Sequence, residues 1–214
     1  FNGECYVCWN WVMVRKTKEE AENTRREILK AALEVFYQKG YSRTTFDEIA
    51  ARINLTKGAV YWHFKNKPDL LVELIKEQFF QKQMTCYDAD NWTSLREAMV
   101  DSAKRIHEDT EYRKFLFFVM FQMEWSEAMV NKVGDSIRGI RDYPQQQLKE
   151  ALTNIQKNGE LGKEANIDEL SLVLLHLWKG ALGDEIGKFS HKNFPEMIAK
   201  SVDLVIAGIK KERS

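Results

Sequence analysis

The stretch that decides the fold runs from Thr44 to Phe64 and reads TTFDEIAARINLTKGAVYWHF. Thr45 is followed three residues later by Glu48, which is the capping-box pattern that marks a helix start. Apolar residues then recur at helical spacing, at Phe46, Ile49, Ala50 and Ile53. Thr56 can cap a second helix after the pattern breaks at 54–55. The sequence therefore predicts two short helices joined by a tight turn.

The second of these helices has an unusual outward face. At about 100° per residue, Gly58, Tyr61 and Trp62 point away from Val60 and Phe64, which share a buried side. A glycine in an exposed first turn costs about 1 kcal/mol relative to alanine, and it allows close approach to another molecule. The helix start, with a lysine before this glycine, suits a phosphate group. We expect a helix-turn-helix whose second helix enters the major groove of DNA.

This block and its flanks resemble the DNA-binding domain of the TetR family of transcriptional regulators. The matching residues are Ile28-Leu29-Lys30-Ala31-Ala32, Phe36, Lys39-Gly40-Tyr41, Thr44 to Ala50, Thr56 to Phe64 and Lys67. The part after residue 85 is more loosely similar to the multidrug-efflux-repressor (AcrR-like) branch. The resemblance implies an all-α chain, with a three-helix DNA-binding domain at residues 13–67 and a helical ligand-binding and dimerisation domain at 68–214. Residues 68–85 would form the connector helix.

The charge distribution agrees with DNA contact at one end of the chain. The formal net charge is zero. Residues 13–67, however, hold 12 Lys and Arg against 7 Asp and Glu, which gives +5 and leaves −5 on the remainder. A basic end on an acidic body is expected when only one end meets phosphate.

The outward face and the resemblance together predict the DNA-contacting residues. They are Thr44, Thr45, Thr56, Lys57, Gly58, Ala59, Tyr61, Trp62, His63 and Lys67. Lys57 would read a base edge, with guanine O6/N7 as the expected partner. Tyr61, His63, Lys67 and the threonine hydroxyls would position phosphates. Two alternatives stay open: His63 as a packing or capping residue, and the charged residues Arg15, Lys16 and Lys18 as a solvated face rather than a basic arm.

The body contains a segment from Tyr112 to Trp125 that is rich in Phe and Met, which predicts a helix buried nearly all round. These residues would be either core or the walls of an apolar ligand pocket. By resemblance, the pocket residues would be Met99, Phe118, Phe121, Gln122, Glu124, Tyr143, Leu175, His176 and Trp178. Polar specificity would come from Gln122, Glu124 or His176, and Glu124 would be a buried acid that needs a partner. We expect a cavity of several hundred Å3 that takes an aromatic or cationic amphiphile.

Ser126 to Asn158 is expected to form one long or broken helix, which Pro144 must kink or restart. Two further helices are expected over the C-terminal segments. By resemblance, the last two helices would form a four-helix bundle with a second copy. Its interface residues would be Leu174, Trp178, Ala181, Val202 and Val205. The alternative is that these residues complete the core of one subunit. A single helix-turn-helix offers a small base-reading surface, so a homodimer on palindromic operator DNA is expected.

Other classes of protein find little support. There is no signal-peptide pattern and no run of 18 apolar residues, so we predict no membrane association. Three cysteines make no disulfide framework, which favours the cytoplasm. The pair Cys5 and Cys8 is a weak metal signal in residues 1–12, which we interpret as a tag or an upstream extension. No cofactor, metal or catalytic residue is predicted.

The sequence thus favours a ligand-responsive repressor that controls an efflux pump. A TetR-like regulator of a metabolic operon is the first alternative. An enzyme is a weaker one, because His107, His176 and His191 lack motif partners and there is no GxSxG or Walker loop. A purely architectural helical protein would not explain the exposed face of Gly58, Tyr61 and Trp62.

Overall fold

The chain folds into helices throughout the part that the computed structural model describes, residues 17–82, 89–189 and 193–212. Within these ranges there are nine α-helices and one π-helical turn, and no strand. They are α1 (Lys18–Lys39), α2 (Phe46–Arg52), α3 (Lys57–His63), α4 (Lys67–Lys82), α5 (Trp92–Glu108), α6 (Thr110–Phe117), the π-helical turn (Phe118–Gln122), α7 (Glu127–Lys157), α8 (Ile167–Gly187) and α9 (Phe194–Glu212). The all-α prediction is confirmed.

The N-terminal helices begin and end where the local sequence signals predict. At α2, the Glu48 N–H donates to Thr45 Oγ (3.3 Å) and the Thr45 N–H donates to Glu48 Oε2 (3.0 Å), which completes the capping box. Thr56 caps α3 by accepting from the Ala59 N–H at 3.2 Å. Gly40 ends α1 with φ of +79°, a conformation that favours glycine. The predicted helix-turn-helix is confirmed.

A single apolar core joins the N-terminal helices to the body. The fully buried ring of Phe36, on α1, stacks on Phe118 with 5.0 Å between ring centroids. On the other side, Arg25 of α1 forms ion pairs with Glu73 and Glu77 of α4. The boundary at residue 67 stays a prediction about domain organisation, and α4 begins at that residue.

The Phe- and Met-rich segment differs from the expected buried helix. α6 ends at Phe117, the π-helical turn comes next, and the backbone becomes extended at Met123. A π-helical turn places more residues in each turn, so the residues after it are rotated away from the face that α6 buries. Met120, Phe121 and Trp125 are consequently exposed. The Trp125 Nε1–H donates to the Val119 carbonyl at 3.0 Å. This carbonyl therefore has a donor at the point where the regular backbone hydrogen bonds of the helix end.

α7 runs through Pro144 as one continuous helix of 31 residues, which is the long rather than the broken form of the two that were expected. A proline removes one backbone donor and disfavours a helix interior. The residues after it bury a regular apolar face at Leu148, Ala151, Leu152 and Ile155. Packing of this face against the rest of the body offsets the loss of one hydrogen bond.

Candidate nucleic-acid interface and apolar cavity

The outward face of α3 is built as predicted. Val60 is fully buried and anchors the helix, while Gly58 lies exposed in its first turn. Tyr61 is 52% exposed and Trp62 is 72% exposed. The Tyr61 ring packs on Phe46 of α2 with 4.9 Å between centroids, which fixes its direction. Two aromatic side chains therefore project from one short helix whose other side is fixed in the core.

The start of α3 carries a cation with a defined position. The Lys57 ammonium lies 2.6 Å from Asp47 Oδ2, on α2. Both groups are largely exposed, and the hydrogen bond that the ammonium donates to the Asp47 carboxylate raises the pKa of Lys57. Thr56 and Ala59 flank this lysine, and the ring of His63 meets Trp62 edge-on at 4.5 Å. The arrangement presents a lysine, a helix N-terminus and an aromatic pair on one side.

Two threonines expected at the interface have other partners. Thr44 is only 2% exposed, and its hydroxyl donates to the Gly40 carbonyl at 2.8 Å. Its side chain therefore holds the turn after α1 and does not face outward, contrary to the prediction. Thr45 is exposed, but its hydroxyl donates to Glu48 and accepts the Glu48 N–H within the capping box.

Lys67 also differs from its expected role. Its ammonium donates to the carbonyls of Tyr41 (2.8 Å), Ser42 (3.1 Å) and Thr44 (3.0 Å), and it lies 4.5 Å from the centre of the Tyr41 ring. Burial lowers the pKa of Lys67, against the attraction of nearby acids, including Glu124. An ammonium has three N–H donors. All three are engaged, so this lysine joins α4 to the turn at 41–44 and has no donor left for a phosphate.

Arg43 is a candidate contact that the sequence interpretation missed. It is exposed in the turn before Thr44, and its Nε donates to the Lys39 carbonyl at 2.8 Å. The remaining guanidinium N–H groups can still donate. The available signal was a basic residue two positions before the capping box, which is too common a pattern to single out.

A cavity of about 420 Å3 lies in the body between α4, α6, the π-helical turn and α7. Its walls are almost wholly apolar. The residues that line it are Ile75, Phe115, Val119, Trp125, Val130, Gly134 and Ile137. The volume suits a drug-sized molecule. No charged side chain is among the lining residues that the structure describes.

None of the nine predicted pocket residues lines this cavity. Met99, Leu175 and Trp178 are buried in the core, and Phe118 stacks on α1. Phe121 and His176 are exposed, and Gln122 is part-buried at the end of the π-helical turn. Tyr143 packs edge-on against Phe79 and faces a separate surface depression. The π-helical turn explains the positions of the predicted residues from Phe118 to Glu124, because α-helical spacing does not continue past Phe117.

Glu124 is not the buried acid that was expected. It is exposed in the extended stretch after the π-helical turn, and its Oε2 accepts from the Ser42 hydroxyl at 2.8 Å. The contact joins the loop beside the cavity to the same turn that Lys67 holds. Glu124 therefore links the body to the N-terminal helices and does not provide a charge inside the cavity.

Comparison with known proteins agrees with this geometry. Residues 28–74 match the model of bacterial regulatory proteins of the tetR family. The transcriptional regulator SrpR of Pseudomonas putida is 32% identical over 147 residues, which cover 66% of this chain and 67% of SrpR. The chain belongs to the TetR family. The probable acrEF/envCD operon repressor of Escherichia coli K12 is 29% identical over 168 residues, or 76% of each chain.

Solved structures of similar proteins extend this match beyond the helix-turn-helix. SmeT, the repressor of the Stenotrophomonas maltophilia multidrug efflux pump SmeDEF, has a TM-score of 0.71 at 26% identity and covers 88% of this chain and 91% of its own. A second structure of SmeT is a complex with triclosan. The TetR family is one of regulatory proteins rather than of enzymes.

The outer faces of α8 and α9 expose apolar side chains that the sequence interpretation did not choose. Of the predicted dimer residues, Leu174, Trp178 and Val202 are buried in the subunit's own core, and only Ala181 and Val205 are part-exposed. The exposed apolar residues here are Leu172, Val173, Leu177 and Leu204. The spacing of apolar residues in the sequence could not show which side of α8 packs in the subunit's own core and which side faces outward, because both sides are apolar.

Several expectations fall outside the described residues: those on residues 1–12 with Cys5 and Cys8, on Arg15 and Lys16, on His191, and on the connector beyond Lys82. Across the ranges that are described, no helix has the length and apolar character needed to span a membrane. The same ranges contain no group of three potential metal-ligating side chains.

Proposed function

We propose that this TetR-family protein is a cytoplasmic transcriptional repressor that binds palindromic operator DNA as a homodimer and is released by a hydrophobic small molecule. The observation that carries the proposal is the outward face of α3. Tyr61 and Trp62 are large aromatic side chains left in water, which is costly without a partner. Lys57, in the first turn of the same helix, completes a surface that suits the sugar-phosphate backbone and base edges.

The effector would occupy the cavity between α4, α6, the π-helical turn and α7. An apolar space of about 420 Å3 costs the protein the packing contacts that its lining residues would otherwise make. A ligand that binds there stabilises whichever conformation has the open cavity, and it lowers DNA affinity if that conformation misaligns the two α3 helices. The triclosan complex of the similar protein SmeT supports a small, apolar effector.

Control of an efflux pump is the regulatory role that the relatives favour. SmeT is described as the repressor of a multidrug efflux pump. The E. coli relative is a probable repressor of the acrEF/envCD operon. A pump that exports hydrophobic compounds is a coherent target for a repressor that senses them.

The homodimer would form through α8 and α9. Val173, Leu177 and Leu204 give these helices an apolar outer face in addition to the face that each buries in its own subunit. Pairing this face with its copy would remove it from water and would set the spacing of the two α3 helices on successive half-sites.

DNA contact can be tested by replacing Lys57 with alanine and making the same change at Lys104 as a control. Lys57 and Lys104 are about equally exposed, and each is paired with an aspartate, but Lys104 lies on α5 in the body. Lys57→Ala should weaken binding to a selected operator by about 5- to 150-fold. The slope of log affinity against log salt should also become shallower by about one.

Lys104→Ala should leave both quantities unchanged. If a selection from random duplexes enriches no motif, or if the two variants behave alike, α3 is not the DNA-reading element.

Effector binding can be tested by filling the cavity. Gly134 lines it, and a Cβ added there would meet Val130 at an ordinary distance of 3.7 Å, so a larger side chain would extend into the space. Gly134→Leu should keep operator binding but lose release by triclosan. Gly139→Leu, on the exposed side of the same helix, is the matched control because a Cβ there meets nothing within 4 Å. Equal release from both variants would exclude this cavity as the effector site.

A further inference from the structure

A second concave space in the body has a different lining from the apolar cavity. It has a volume of about 260 Å3 and lies where α6 meets the C-terminal ends of α1 and α8. The residues of its lining that bear on ligand chemistry are Tyr37, Arg113, Lys114, Phe117, Glu185 and Lys188. Three of these side chains are cationic and one is acidic. We call this space the basic recess, and its size suits a molecule somewhat smaller than a drug.

The Arg113 guanidinium keeps hydrogen-bond donors for a ligand. Its Nη1 donates to the Ile106 carbonyl at 3.5 Å, and its Nη2 donates to the Thr110 hydroxyl at 3.3 Å. Both acceptors are uncharged and both contacts are long. A guanidinium has five N–H donors, so three remain. Arginine commonly binds a carboxylate through two parallel hydrogen bonds, and Arg113 has enough donors to do so.

Two acids at the basic recess pair with other side chains. Glu185 Oε1 lies 2.8 Å from His107 Nδ1, and the Glu185 side chain is only 14% exposed. Glu34 of α1 accepts a hydrogen bond from the Lys114 ammonium at 2.6 Å. Among the residues that the structure describes, no carboxylate forms an ion pair with Arg113 or with Lys188, so these two cations can attract an anion from solution.

Lys188 stands at a position where helices commonly have glycine. It ends α8 with φ of +56°, in the left-handed region that disfavours a residue with a Cβ atom. Its N–H donates to the Glu185 carbonyl (3.4 Å), and the Phe189 N–H donates to the Asp184 carbonyl (3.0 Å), an arrangement typical of a glycine-terminated helix. A lysine near a helix C-terminus is favoured by the helix dipole. Because Lys188 also lines the recess, its ammonium adds positive charge there.

The remaining walls suit the body of an aromatic molecule. Tyr37 of α1 and Phe117 of α6 meet edge to face, with 5.5 Å between ring centroids and 68° between ring planes. Both residues line the recess and both are half-buried, so part of each side chain is accessible. Aromatic rings pack favourably against one another in tilted or offset arrangements. A flat ring that carries a negative group would contact these rings and the cations together.

We propose that the basic recess is a second small-molecule site and that it binds an aromatic carboxylate. Arg113 donates two hydrogen bonds to the carboxylate, Lys188 adds positive charge beside it, and the rings of Tyr37 and Phe117 contact the aromatic body. The site lies apart from the apolar cavity between α4, α6, the π-helical turn and α7, and the two linings share no residue. Its existence does not depend on the proposed function, because binding can be measured without DNA.

The proposal can be tested by calorimetry on the full chain at constant ionic strength, with 2-naphthoate and its neutral analogue 2-naphthalenemethanol. Arg113→Gln should weaken 2-naphthoate binding about tenfold or more, because a half-buried, charge-assisted hydrogen bond is lost. Lys188→Asn should weaken it about threefold, since this ammonium is exposed. Neither change should alter the affinity for the alcohol by more than about twofold.

Two controls separate this site from general charge attraction and from misfolding. Lys179→Gln removes an exposed lysine of α8 that is not part of the recess lining, and it should leave 2-naphthoate affinity unchanged. Lys188→Asn should keep the wild-type Tm within about 2 °C, because asparagine tolerates the left-handed conformation. This variant therefore decides the matter even if Arg113→Gln does not fold.

A further titration in the presence of saturating triclosan locates the anion. Unchanged 2-naphthoate affinity would support separate sites, whereas displacement by triclosan would place the anion in the apolar cavity and overturn the proposal. Wild-type affinity in Lys188→Asn, an equal loss in Lys179→Gln, or no binding of 2-naphthoate at millimolar concentration would also overturn it. Failure of triclosan itself to bind would count against the proposed effector cavity, and the lysine variants would still test the basic recess.

Discussion

Lys67 gives the clearest test of how the structure changes the interpretation of the sequence. A DNA-contacting lysine would affect the salt dependence of binding, whereas a lysine that holds the turn at 41–44 would affect stability. We consider Lys67→Met, which keeps an unbranched apolar stem and removes only the ammonium. Three carbonyl oxygens, of Tyr41, Ser42 and Thr44, then lose their donor.

The size of the effect can be worked from these contacts. A hydrogen bond that involves a charged group contributes about 1.5 to 3 kcal/mol, but three bonds to one ammonium are not additive and the site is part-exposed. We expect a net loss of about 3 kcal/mol, including the contact with the Tyr41 ring. For a chain of this length the Tm should fall by about 6 to 12 °C.

The assay combines thermal unfolding by circular dichroism with operator binding at several salt concentrations. Lys67→Met should weaken binding of all sequences through misplacement of α2 and α3, with the salt slope unchanged. Lys65→Met is the control, because Lys65 is an exposed lysine two residues away, and it should keep the wild-type Tm. A Tm within about 2 °C of wild type, or a salt slope reduced by about one, would refute the structural role.

Three further predictions concern a capping acid, the outer face of α9 and the loop beside the cavity. Glu48→Gln keeps an acceptor for the capping box but removes the carboxylate charge. In the wild type, the hydrogen bonds that Lys39 and the Thr45 N–H donate to this carboxylate lower the pKa of Glu48 from 4.5. Because a lowered pKa stabilises the fold at pH values above the unfolded pKa, the wild type should have the higher Tm above about pH 4.5. The difference should shrink as pH falls below that value, and a constant difference would contradict the assignment. Leu204→Glu, at a position 74% exposed, should give folded monomers in sedimentation experiments. The same change at the buried Val202 should instead unfold the protein. A dimeric Leu204→Glu protein would argue against the α8–α9 interface. Glu124→Gln should change triclosan affinity by less than about twofold, since the exposed hydrogen bond between Glu124 and Ser42 contributes little. A tenfold loss of affinity measured by calorimetry would indicate that Glu124 contacts the ligand in the cavity.

The sequence by itself determined the local structure at the N-terminal end. Capping at Thr45 and Thr56 and the outward position of Tyr61 and Trp62 were all predicted correctly. Each depends on hydrogen bonds or helical spacing within about four residues, so the signal and its consequence lie in the same short segment. The all-α architecture arises from the same local signals, summed over the chain.

The tertiary structure decided which side chains face the DNA side, the cavity or a neighbouring helix. Lys67 and Thr44 look like interface residues in the sequence, but the ammonium of Lys67 reaches carbonyls more than 20 positions earlier. Glu124 finds its partner 82 positions away, at Ser42. The cavity residues come from α4, α6, the π-helical turn and α7, and the departure from α-helical spacing after Phe117 changes their order on the surface. Such contacts depend on how distant helices pack, and packing is a property of the whole core that no short stretch of sequence encodes.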